Sequence, residues 1–103
     1  MSVVENTPRR LVLRSGSTVL TLDKDADEAT LQRKFLFWKL KPARSLMSHI
    51  TAVTVDKAVD RATGVEMFST MLITQAGAGW ALSAADKDSA ERSAATIRGF
   101  LRL

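Results

Sequence analysis

The sequence predicts an α+β fold made mainly of antiparallel strands and finished by one C-terminal amphipathic helix. Apolar and β-branched residues alternate with polar ones in short runs, separated by stretches containing Gly, Ser or Asp, which is the pattern of strands joined by turns. After Ser83 the repeat lengthens: Ala90, Ala94, Ile97 and Leu101 recur at spacings of four, three and four, which places them on one helical face. The 103 residues are 46% hydrophobic and 25% charged, with 5 Gly and 2 Pro, so one ordinary globular core is supported and collagen-like or disordered chains are excluded.

Taken in order, Leu11 to Arg14 and Thr18 to Leu22 flank Ser15-Gly16-Ser17 and read as a hairpin. The acidic stretch Asp23 to Glu28 has no apolar period and reads as a solvent loop. Leu31 to Leu40 reads as one strand ending near Pro42, with Leu31, Phe35 and Phe37 on one face and Leu36, Trp38 and Leu40 on the other. Ile50 to Val55 is β-branched at nearly every position and forms another strand. Asp60 to Gly64 makes a loop in which Gly64 is free to take a positive φ. In the long strand that follows, Val65, Met67, Ser69, Met71 and Ile73 face one way, and Glu66, Phe68, Thr70, Leu72 and Thr74 the other. Gln75 to Gly79 turns the chain and Trp80 to Ser83 returns as a partner strand. Ser83 and Asp86 are candidate N-caps, Asp88 suits the positive end of a helix, and Arg92, Arg98 and Arg102 lie away from the apolar face.

The chain has no cysteine, which removes disulfides, thiolate metal sites and cysteine nucleophiles. Met1 to Pro8 lacks both a basic start and a following apolar stretch, so it reads as a flexible N-terminus rather than a secretory signal, and the expected compartment is the cytoplasm. No apolar run approaches the ~20 residues of a membrane span. The net charge of +4 is uneven: residues 1–55 carry nine Lys/Arg against five acids, and residues 56–103 carry six of each. Between Glu28 and Asp56 there is no acid, while Arg33, Lys34, Lys39, Lys41 and Arg44 fall there. These five are the candidate anion patch, suited to phosphates, an acidic membrane surface or an acidic protein, although a small domain also carries such charge simply to stay soluble.

Motifs of chemistry are incomplete. Asp23-Lys24-Asp25-Ala26-Asp27 repeats the carboxylates that open an EF-hand loop, but the sixth position is Glu28 rather than glycine and the twelfth is Lys34 rather than an acid. His49 is the sole histidine and cannot build a multi-histidine metal site or an acid–base pair; Ser48-His49 reads as the start of a strand. There is no Gly-x-Ser-x-Gly turn, and Gly77-Ala78-Gly79 lacks the third glycine of a dinucleotide fingerprint. The expectation is a chain that is not an enzyme, with no catalytic residue, cofactor, metal or small-molecule substrate.

In Arg33 to Lys41, basic residues interleave with Phe35, Phe37 and Trp38, a mixture that nucleic-acid sheets use for stacking. The Gly-aromatic signature of an RNA-recognition motif is absent, so nucleic acid is a disfavoured partner; core strands use aromatics in the same way, so the three read first as core packing and, where the core leaves them uncovered, as the candidate subunit interface. A strand apolar on both faces buries one in its own core and needs cover for the other, which either a second copy or the loop after Pro42, folded back over the strand, supplies; the expectation is a homo-oligomer.

Three stretches resemble a bacterial pleckstrin-homology-like (PH-like) domain: Phe35-Leu36-Phe37-Trp38, the lead from Arg44 through His49 into Ile50, and the ending Ala94 to Leu101. The resemblance implies a bent, open barrel of six to seven strands capped by the terminal helix, covering residues 9–103 as one domain after the flexible residues 1–8. It also implies an adaptor or self-associating module whose partner is a protein or a second copy. In relatives that bind phosphoinositides a generous basic loop joins the first strands; here that connection is Ser15-Gly16-Ser17, with Arg14 as the nearest cation.

Overall fold

The structure is a computed structural model that describes residues 2–35, 38–39 and 43–102, with side chains for 3–33 and 43–102. Among the described residues nine strands form two antiparallel sheets that do not close into a barrel, followed by one helix. The strands are β1 (Ser2–Asn6), β2 (Arg10–Ser15), β3 (Thr18–Asp23), β4 (Glu28–Phe35), β5 (Trp38–Lys39), β6 (Ala43–Leu46), β7 (Ile50–Val59), β8 (Glu66–Thr74) and β9 (Gly79–Ala84). Helix α1 spans Lys87–Leu101. The α+β class and the terminal helix are as the sequence predicts, whereas the strand number exceeds the six to seven expected.

The first sheet runs β1-β2-β3-β4, with β4 also paired to β5 near one end and to β6 along Glu28 to Leu31. Gly16 opens its central hairpin at φ 58°, and Ser15 pairs with Thr18 across a two-residue loop, a geometry that favours glycine over residues with a Cβ. Register stacks Leu11 on Leu22 and Ala29, and Leu13 on Leu20 and Leu31, and all six are buried. The second sheet, β7-β8-β9, contributes Val53, Leu72 and Trp80 in one row and Val55, Thr70 and Leu82 in the next. These rows and the helix residues Ala94, Ile97 and Phe100 belong to the same core.

Three expectations change. Residues 2–6 are not a free arm: they pair as β1 along β2, with a bulge between Val3 and Glu5. The single strand from Leu31 to Leu40 is two strands, since Trp38 pairs back with Phe35 and Lys39 with Lys34. Ser48-His49 belongs to a short 3-10 turn, Met47–His49, between β6 and β7. The first two changes are pairings between segments, which alternation within a segment does not encode.

In α1, Asp86 and not Ser83 is the N-cap: its carboxylate accepts from the Ser89 amide at 2.7 Å, while Ser83 lies in β9. Ala90, Ala94 and Ile97 are buried as expected, but Phe100 rather than Leu101 completes the buried set, with Leu101 half-buried beside it. The helix is tied to the second sheet by Thr70 Oγ1, which donates to the Ala90 carbonyl at 2.9 Å. Arg98 Nε and Nη2 also donate to the Val53 carbonyl, at 2.9 and 2.6 Å, on edge strand β7. No helix among the described residues is long and apolar enough to cross a membrane.

The bonds from Ser89, first its amide and then its hydroxyl, hold the Asp86 carboxyl below the usual carboxylate range. The fold therefore favours the ionised form, and the cap contributes fully above the unfolded-state pKa of ~4 and fades as pH falls through the lower native value. Asp86→Ala should lower the melting temperature at neutral pH, by a margin that shrinks as pH drops below ~4; thermal melts across that range measure it.

Candidate functional site

Alternation in β8 presents two sets of side chains. Phe68, Thr70, Leu72 and Thr74 share the inner face, where the last three are buried. Met67, Ser69, Met71 and Ile73 share the outer face, opposite the core. Register adds Ala52 and Gly79 beside Ile73, Thr54 and Ala81 beside Met71, and Ala58 beside Met67. Asp56, in the row with Ser69 and Ser83, is the one charged residue among these outer positions. A Cβ built at Gly79 would lie 3.0 Å from Met71 Cε, so glycine leaves room for the methionine to lie across the sheet.

Toward the tip of the β7–β8 hairpin the amphipathic order breaks down, with charged residues entering the inner-face parity beside Val59 and Phe68. Lys57 and Glu66 fall on the inner-face parity and form an ion pair at 3.0 Å, whereas Ala58 and Met67 occupy the outer face. Met67 is 56% exposed and Val65, just before the strand, 55%. A solvated face of an antiparallel sheet ordinarily carries the polar residues. Here the outer face carries Met67, Met71, Ile73 and three alanines among Thr54, Asp56, Ser69 and Ser83, and a groove of about 380 Å³ runs past Ala58, Glu66, Met67, Ser69, Ala81 and Ser83.

The two members of the candidate anion patch whose side chains are described, Arg33 and Arg44, do not share a face. Arg33 is in register with Thr18 and Ser15 on the inner-face parity of the first sheet, beyond the leucine rows, and is exposed. Arg44 is in register with Thr30, whose position on β4 has the opposite parity, so the two arginines occupy opposite faces. Arg44 also sits 3.8 Å from Glu28: the stretch without acids in sequence has an acid beside it in space. Lys34 and Lys39 are register partners rather than residues of one strand, and their side chains, with Lys41, lie outside the described residues. Of the candidate interface, Phe35 and Trp38 are likewise register partners whose side chains are not described, and Phe37 lies outside the described residues.

The Asp23 to Asp27 carboxylates diverge. Asp23 Oδ1 accepts from the Asp25 and Ala26 amides, at 2.9 and 3.3 Å, and Asp25 pairs with Arg9. Asp27 adopts φ 50°, a left-handed conformation that Asp tolerates, and its carboxylate accepts from the Ser48 amide at 3.1 Å and the Ser48 hydroxyl at 3.0 Å. It thereby anchors the 3-10 turn that leads into β7. Among the described residues no three His, Cys, Asp or Glu side chains gather as a metal site.

The apolar outer face was legible as the Val65, Met67, Met71, Ile73 side of the long strand; which of the strand's two faces would be left uncovered was not. Compared with protein-family models, curated proteins and solved structures, the chain matches none.

Proposed function

We propose that the chain is a cytoplasmic, non-enzymatic interaction module of PH-like arrangement that self-associates by packing the outer face of β7–β9 against the same face of a second copy. The reading is carried by the exposed apolar residues Met67 and Val65 at the hairpin, continuous along β8 with Met71 and Ile73 on the outer face. The order of two antiparallel sheets followed by a helix across the core supports the PH-like arrangement.

A second copy suits this face because an isologous contact repeats every residue against itself or a symmetry neighbour, and a face with Asp56 as its one charge opposes few like charges. Two such sheets pack face to face, and methionine side chains adapt to the fit. This surface is additional to the candidate interface at Phe35, Phe37 and Trp38, whose side chains lie outside the described residues.

Light scattering on the eluting protein at micromolar concentration should give a dimer mass. Met67→Glu should weaken association by at least about tenfold, because symmetry places the new carboxylate in the interface twice, while the melting temperature stays near wild type. A wild-type monomer whose mass does not depend on concentration, or a variant that dimerises as before, would remove the reading.

A further inference from the structure

Among the described residues β1 is an end strand that pairs with β2 alone, so one of its edges has no strand beside it there. The bulge between Val3 and Glu5 brings Val3 into register with Leu13 and Asn6 with Leu11, which sets both on the core-facing side two register positions apart. They face α1 across a trough. One part, about 310 Å³, is lined by Val3, Ser89, Arg92, Ser93 and Thr96. The other, about 530 Å³, continues from Thr96 past Asn6, Lys24 and Gly99 to Phe100. Val3 is 54% exposed because the sheet ends there, and the helix wall opposite is built largely from small side chains.

The trough has a charge. Lys24 holds its ammonium 4.5 Å from the centroid of the Phe100 ring, and Arg92 contributes the second cation, its Nε donating to the Asp88 carbonyl of its own helix at 3.4 Å. Among the described residues no acid lines either part.

We propose that this trough takes an extended acidic segment of a partner protein, added to β1 as a further strand, with an aliphatic side chain against Val3 and carboxylates reaching Lys24 and Arg92. Strand addition satisfies the open edge through main-chain hydrogen bonds, and alternate side chains of the added strand fall into the trough. Residues two apart on a strand are ~7 Å apart on one face, matching the separation of the Val3 and Asn6 positions. The site shares no residue with the outer face of β7–β9, so it stands independently of self-association.

The probe is the palindromic peptide Thr-Glu-Thr-Val-Thr-Glu-Thr with blocked ends, which presents the same face in either strand direction, against a control with Lys for both Glu. In amide chemical-shift titrations the acidic peptide should produce saturable shifts confined to residues 2–7, Lys24 and the Ser89 to Phe100 flank, and the lysine peptide should produce none. Lys24→Glu should weaken binding about tenfold, and Thr96→Trp, which fills the junction of the two parts, should abolish it, with melting temperatures of both variants near wild type. Met67→Glu should leave peptide binding unchanged whatever it does to association. Absence of saturable shifts, shifts centred on β7–β9, equal binding of the lysine peptide, or unchanged affinity in the Lys24 and Thr96 variants would overturn the site.

Discussion

Ile97→Asp should leave a chain that no longer melts cooperatively. Ile97 is fully buried on the helix face that also carries Ala90, Ala94 and Phe100, and that face belongs to a core drawn from both sheets. A carboxylate placed there has no described polar partner among these apolar neighbours, so it must be desolvated or protonated while the isoleucine's packing is lost. The combined cost is on the order of 4–5 kcal/mol, comparable with the whole stability of a marginal domain. Ile97→Val is the control and should cost roughly 1 kcal/mol, because it removes one methylene and introduces no charge. Circular dichroism melts of the pair check the expectation. If the aspartate variant melted within a few degrees of wild type, the helix could not be docked through this face.

Leu20→Ala should destabilise the protein by roughly 3 kcal/mol with no change in the denaturant slope. Leu20 sits between Leu13 and Leu31 in the central row of the first sheet, and all three are buried. Removing the middle side chain leaves a gap bounded by paired strands, which have little freedom to close it. Val19 is its neighbour on the opposite face and only partly buried, so Val19→Ala should cost well under half as much. Urea titrations of both variants measure the difference, and equal midpoints would mean that the assignment of faces in this hairpin is wrong.

The two proposed surfaces show how differently a site can be written. The outer face of β8 was present in the alternation of Met67, Met71 and Ile73, because side chains two apart on a strand share a face wherever that strand is placed. The β1–α1 trough had no such signature. Its walls, Val3 and Asn6 on one side and Ser89, Ser93 and Thr96 on the other, come from opposite ends of the chain. Lys24 and Phe100 meet in the same way.

What the sequence by itself determined are the properties that depend on near neighbours: the Gly16 hairpin, the strands ending at Thr74 and beginning near Gly79, the change of period after Ser83, and the buried set Ala90, Ala94 and Ile97. Backbone geometry fixes these through repeats of two and 3.6 residues. The tertiary structure alone decided that residues 2–6 pair along β2, that Trp38 and Lys39 pair with β4, that Arg33 and Arg44 part to opposite faces, and that Glu28 stands beside Arg44. Those outcomes depend on which edge is free to pair when a segment arrives and on the register it adopts there. A shift of one residue in that register exchanges the two faces of a strand without altering its pattern, so the pattern cannot choose between them.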